Sequence, residues 1–207
     1  MTVAALAVAE SSRSERMWES WLAPHRESVL SSLYCLQGTT SFYEVGCGSG
    51  PNLRRVREVF PQMRLGGSEP DQELAQGAQD FLGLPISPDP LPIVPTGWDT
   101  VLSCYVMAYV HPLVAFDSLR RLYNGGTRAL ILLEPMGNTL IWKAAGHLKR
   151  VYPAGYTETG RAQHAVSQPE WMHDYRALLG ESGWRVTWAW PVLPLADGIN
   201  ACIVAER

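Results

Sequence analysis

Ser41-Phe-Tyr-Glu-Val-Gly-Cys-Gly-Ser-Gly-Pro-Asn52 is the stretch from which the rest of the chain is read. Phe42, Tyr43 and Val45 make a short apolar run interrupted by Glu44, and glycines then occupy the alternate positions 46, 48 and 50. Asn52 to Phe60 follows at once with the spacing of an amphipathic helix. The pattern is a buried strand, a tight glycine turn and a helix start. Glycine serves where the backbone takes positive φ, or where a ligand must approach closer than a Cβ allows. A turn that feeds a helix also aims unpaired backbone N–H groups at whatever lies above it. The stretch reads as a ligand-binding turn.

The segments on either side alternate between strand and helix. Residues 11 to 37 have helical spacing, with Trp18, Trp21, Leu22, Val29, Leu30, Leu33 and Leu36 as apolar positions, Pro24 dividing two segments and Gly38 as the stop. Pro61 ends the helix after the glycine turn. Met63 to Glu69 is a second short strand, Asp71 opens a helix that stops at Gly83, and prolines at 85, 88, 90, 92 and 95 leave room only for a very short edge strand. Trp98 to Tyr105 and Arg128 to Glu134 are continuous apolar strands around a helix from Pro112 to Tyr123. Strands without in–out alternation, separated by helices, predict a mostly parallel sheet covered on both faces. Further on, the spacing predicts a short helix over Thr139 to Leu148. Ser167-Gln-Pro-Glu170 reads as a capping box before a helix from Trp171 to Leu179. Strands over Trp184 to Trp190 and Asn200 to Glu206 make a closing antiparallel hairpin.

At 207 residues with a formal net charge of -3, the chain fits one domain and has no general attraction for polyanions. A DNA partner is therefore not expected. No apolar stretch approaches the roughly 20 residues of a membrane span, and the apolar start lacks a basic leader. Cys35, Cys47, Cys104 and Cys202 are far apart and form no C-x-x-C, so neither a metal site nor a disulfide framework is expected, and a cytoplasmic location suits them.

The spacing of the turn discriminates among ligands. A dinucleotide fingerprint places its third glycine where this chain has Pro51. The pattern here is acidic-x-G-x-G-x-G from Glu44 to Gly50, and it resembles the first motif of class I S-adenosylmethionine (SAM)-dependent methyltransferases of the small-molecule type. The order of elements from about residue 40 to the closing hairpin is similar to that family as well. The resemblance implies an α/β, Rossmann-like seven-stranded sheet, mostly parallel, with the antiparallel hairpin at its end and helices on both faces. It divides the one domain into an N-terminal helical lid (1–38), which reads equally as a helix packed on the sheet edge, a SAM-binding core (39–135), a substrate-side helical insertion (136–183) and the hairpin (184–207).

The resemblance also implies residue roles. Gly46, Cys47, Gly48, Gly50 and Asn52 hold the methionine end of SAM, with Glu44 near its ammonium group. Glu69 ends the second strand about 25 residues after Glu44, near the spacing at which a carboxylate accepts hydrogen bonds from ribose hydroxyls; with Pro70 it stands in a segment similar to the second motif. The family's adenine-contacting acid falls on Ser87, with Asp89 the nearby carboxylate, and either supplies that contact. Ser103, Cys104 and Tyr105, at the end of the fourth strand, lie under the cofactor. The strand does not run into the (Asp/Asn/Ser)-Pro-Pro-aromatic motif of enzymes that methylate exocyclic amino groups of bases. Methyl transfer to a hydroxyl needs a base, for which His111 is the first candidate and Tyr109, Tyr105 and His173 follow; His173 is expected on a solvated helix face. Trp18, Trp21, Trp142, Tyr152, Tyr156 and Trp171 suit an aromatic substrate pocket. The reading is a methyltransferase acting on an O or N nucleophile of a small molecule, with S-adenosylhomocysteine (SAH) as coproduct. The alternatives are a non-catalytic SAM-fold scaffold and an enzyme with a protein or RNA target; the oligomeric state stays open.

Overall fold

The computed structural model describes residues 25–91, 95–136, 148–149, 171–195 and 198–207. Its centre is a seven-stranded sheet. In chain order the strands are β1 (Ser41–Val45), β2 (Arg64–Ser68), β3 (Ile86–Ser87), β4 (Thr100–Cys104), β5 (Ala129–Met136), β8 (Arg185–Leu195) and β9 (Gly198–Glu206), and their spatial order is β3-β2-β1-β4-β5-β9-β8. The first five run parallel, and β9 and β8 pair antiparallel beside β5. The strand order reverses between β1 and β4, so the topological switch point falls at their carboxyl ends. The remaining strands, β6 (Leu148–Lys149) and β7 (Trp171–Met172), form a separate antiparallel pair.

Alternate side chains of the strands feed two apolar layers. On one face Phe42, Leu102, Ile131, Leu133, Cys202 and Val204 pack against Val29, Leu30 and Leu33 of helix α1 (residues 25–35), Leu53 and Val56 of α2 (Pro51–Val59), and Ala75, Ala78 and Leu82 of α3 (Gln72–Leu82). On the other, Tyr43, Val45, Val101, Leu130, Leu132 and Ile203 meet Ala115, Leu119 and Leu122 of α4 (Pro112–Asn124), and Tyr175, Leu178 and Leu179 of α5 (Tyr175–Glu181). A sheet buried on both sides explains why β1, β4 and β5 show no alternation of apolar and exposed polar residues. Among the described residues, no helix is long and apolar enough to cross a membrane.

Local chemistry sets the helix ends. Asp71 caps α3, accepting from the N–H groups of Glu73 at 3.0 Å and Leu74 at 3.1 Å, and Gly83 closes the helix at φ 58°. The last helix departs from the sequence expectation: Trp171 and Met172 pair with β6 as a strand, and α5 begins only at Tyr175, where Asp174 accepts from Ala177 N–H at 3.1 Å. A true N-cap closer to the apolar run displaces the start expected after Glu170. Leu148, expected to end a helix, is in β6; residues 139–147 and the capping box lie outside the described residues. The strands of the closing hairpin are longer than expected, because β8 continues past register shifts between Val186 and Trp188 and between Val192 and Leu195. Replacing Asp71 by Ala removes the acceptor for two helix N–H groups, and chemical denaturation is expected to register a loss of about 1 kcal/mol.

Candidate cofactor site

The sheet register gathers the sequence-selected residues at one edge. Val45 is level with Ser68 on one side and Ser103 on the other, and Ser68 is level with Ser87. The chain therefore leaves β1, β2, β3 and β4 at the same height, which brings the glycine turn, Glu69 and Pro70, Ser87 and Asp89, and Cys104 and Tyr105 to a common rim.

Gly46, Gly48 and Gly50 all adopt left-handed backbone, at φ 63°, 54° and 82°. Their surroundings differ. A Cβ on Gly46 would come within 2.5 Å of Val106 Cγ2, and one on Gly50 within 2.7 Å of Leu82 Cδ1, whereas at Gly48 nothing lies within 4 Å. The outer glycines are packed against protein and the middle one faces open space. Beyond Gly50, α2 starts with Pro51, which has no N–H to satisfy, and Gly50 supplies no side-chain cap; the Leu53 N–H of its first turn faces the Glu44 carboxyl.

Glu44 is 1% exposed. Its Oε1 accepts from Asn52 Nδ2 at 2.7 Å, while its Oε2 is buried without a hydrogen-bond partner. Burial, with the nearby Glu69 adding to it, pushes the carboxyl up to about 8, against the opposing bonds from Asn52 and from the Leu53 N–H. A half-satisfied buried carboxylate is costly, and it fits a site completed by a cation. Glu69 straps the rim together: its Oε2 accepts from Gly48 N–H at 2.8 Å and its Oε1 from Asp71 N–H at 3.0 Å. Ser87 and Asp89 are joined, the serine hydroxyl donating to Asp89 Oδ2 at 2.5 Å and Asp89 N–H donating back to Ser87 Oγ at 3.2 Å. Burial pushes both the Cys47 and the Cys104 thiol above the ordinary value, so each is a neutral packing group.

Other selected residues have duties away from the rim. Ser103 is buried and donates to Glu134 Oε1 at 2.9 Å. His111 is exposed and caps α4, its Nδ1 accepting from Leu113 N–H at 3.3 Å; it has to release that bond to take a proton on Nδ1. Tyr109 is half-buried in a single 3-10 turn, Met107–Tyr109. His173 is 1% exposed rather than solvated, because it stands in the turn between β7 and α5 and donates from Nε2 to Met107 O at 2.7 Å. The hydroxyl of Tyr105 and Nε2 of His25 share a hydrogen bond of 2.9 Å. Trp18, Trp21, Pro92, Trp142, Tyr152 and Tyr156 lie outside the described residues, and Trp171 enters only as β7 backbone.

Sequence reasoning passed over Glu134, the most enclosed acid at this edge. It is 0% exposed, ends the apolar run of β5 and accepts four hydrogen bonds. The signal was present: a lone acid at the carboxyl end of a buried parallel strand is the same arrangement as Glu44.

Neither a family model nor a curated protein matches the sequence. Solved structures match the fold. The magnesium protoporphyrin IX methyltransferase of Synechocystis PCC 6803 with bound SAM is 17% identical with a TM-score of 0.60, covering 89% of this chain and 80% of that one. The mitomycin 7-O-methyltransferase MmcR is 21% identical at TM-score 0.58, covering 82% of this chain and 49% of that one. Human N-acetylserotonin methyltransferase, also with SAM, is 14% identical at TM-score 0.61, covering 93% and 54%. The chain thus spans about half the length of the last two. It has the class I SAM-dependent methyltransferase fold.

Two outcomes test the rim as described. Gly46→Ala should destabilise by roughly 1–3 kcal/mol, since it adds a clash to the left-handed strain, while Gly48→Ala bears the strain of about 1 kcal/mol alone; thermal melts of the two variants decide. For Glu44 the folded value lies above the ordinary 4.5, so its contribution to ligand-free stability is complete below 4.5 and is lost as pH rises toward about 8. Glu44→Gln should flatten the fall in stability across that interval. An unchanged slope means the carboxyl is ionised throughout.

Proposed function

We propose that this chain is a SAM-dependent methyltransferase that transfers a methyl group to an oxygen or nitrogen nucleophile of a small molecule, leaving SAH. The observation that carries the reading is Glu44 Oε2, a buried carboxyl oxygen without a hydrogen-bond partner at the end of β1, where the turn that follows leaves the backbone bare at Gly48. An amino-acid ammonium supplies what that oxygen lacks. The residues present therefore fit the cofactor. Glu44, Gly46, Cys47, Gly48, Gly50 and Asn52 would hold its methionine end, Glu69 and Pro70 its ribose, and Ser87 or Asp89 its adenine, with Cys104 and Tyr105 beneath. When bound, SAM supplies a methyl group already activated on a sulfonium.

The chain's own contribution is binding and alignment. Glu69 already accepts two N–H groups from the turns that flank the rim, so a ribose diol competes for, or joins, an acceptor that is held in place. A small-molecule acceptor is favoured by the net charge of -3, which offers nucleic acid little, and by neighbours in fold that are named for methylating mitomycin, magnesium protoporphyrin IX and N-acetylserotonin. Of the base candidates, Tyr109 stands in the 3-10 turn after β4, and His111 serves only by giving up its cap on α4.

Calorimetric titration with SAM tests the cofactor: micromolar affinity is expected, weakened tenfold or more by Glu69→Ala, and an unchanged affinity in that variant removes the ribose assignment. His111→Ala and His111→Asn separate capping from catalysis. A base makes both inactive in methyl transfer, whereas a capping role lets Asn restore what Ala loses.

A further inference from the structure

Burying a carboxylate completely is unfavourable unless donors fill its oxygens, and an apolar side chain of similar volume generally serves stability as well or better. Glu134 is such a carboxylate, and its partners say what it is for. Its Oε1 accepts from Ser103 Oγ at 2.9 Å and from the N–H groups of Val106 and Met107, both at 3.0 Å; its Oε2 accepts from Ala108 N–H at 3.4 Å. Three consecutive backbone donors of the segment after β4 converge on one side chain of β5.

That segment follows the only non-glycine residue with positive φ among the described residues, Tyr105 at 58°. A bulky side chain in left-handed backbone persists only where its surroundings dictate it. Here they do so from every side. Tyr105 N–H donates to Leu133 O at 2.9 Å, the Tyr105 hydroxyl is bonded to His25, and Met107 O accepts from His173. The next residue, Val106, is the one whose Cγ2 lies 2.5 Å from where a Cβ on Gly46 would be. The segment held by Glu134 is thus the wall against which the glycine turn is packed.

We propose that Glu134 is a positioning residue: it holds residues 105–108 against the glycine turn and so fixes the shape of the ligand edge without touching a ligand. The functional half of this inference rests on the cofactor reading above. Glu134→Met, which removes every acceptor at similar volume, is expected to weaken SAH binding at least about tenfold. Glu134→Gln keeps one acceptor oxygen and is expected to stay within about threefold of the parent. Glycine takes positive φ without strain, so in a Tyr105→Gly background the loss caused by Glu134→Met should shrink to below about threefold. An equal loss in both backgrounds means that Glu134 only supports the fold, and overturns the proposal. Amide hydrogen exchange on the parent decides independently of any variant that does not fold. Val106 and Met107 should be protected like the amides of β4, and exchange at the rate of a free loop contradicts the proposal. If the parent binds no SAH, the cofactor reading falls, and the exchange result alone decides whether Glu134 holds the segment.

Discussion

Parallel strands that end together leave their last N–H and C=O groups at one edge, and this chain meets that constraint with carboxylates. Glu44 at the end of β1, Glu69 just after β2 and Glu134 in β5 stand at the carboxyl ends of strands whose order reverses between β1 and β4. Each resolves its charge differently. Glu134 is filled by four donors from its own chain. Glu69 is half-exposed and ties two turns together. Glu44 is enclosed with one oxygen engaged and the other unmet. An edge that satisfies two of its acids and leaves an oxygen of the third unmet supports the proposal that a cationic group completes it.

The glycine turn works because its neighbours are fixed. Val106 and Leu82 fill the space that side chains at 46 and 50 would need, and the backbone is left bare only at Gly48. Val106 is in turn fixed by Glu134, Met107 by Glu134 and His173, and Tyr105 by Leu133 and His25. Contacts from α1, β5 and the turn before α5 thereby converge on the segment that follows β4. These are elements far apart in sequence, and the rim draws its rigidity from all of them.

Much of the fold was legible because its signals are local. The three glycines, Pro51, the Asp71 cap with its Gly83 stop, and the largely apolar strands β1, β4 and β5 without in–out alternation each act within a few residues, and the element order follows from them. What escaped the sequence depends on partners brought from afar. His173 looks like a polar residue on a helix, yet it is buried because Met107, some 66 positions earlier, presents a carbonyl to it. Glu134 looks like the end of an apolar strand until three N–H groups of the β4 loop are found on it. His111 also caps a helix and Ser103 also donates to Glu134, bonds that residue type alone does not reveal. The start of α5 differs from the expectation because Trp171 pairs with β6 and Asp174, four residues after the end of the expected capping box, is the residue that caps the helix.

What completes Glu44 decides whether this edge holds the cofactor. The most direct measurement is a calorimetric titration with SAH at neutral pH, repeated in buffers of different ionisation enthalpy. With its carboxyl pushed up to about 8, Glu44 is largely protonated before binding, and an ammonium placed on Oε2 drives the proton off. The predicted result is micromolar binding that releases protons, with the release abolished in Glu44→Gln. Binding with no proton release, or no binding by the folded protein, would contradict the claim that this acid awaits the cofactor's cationic group.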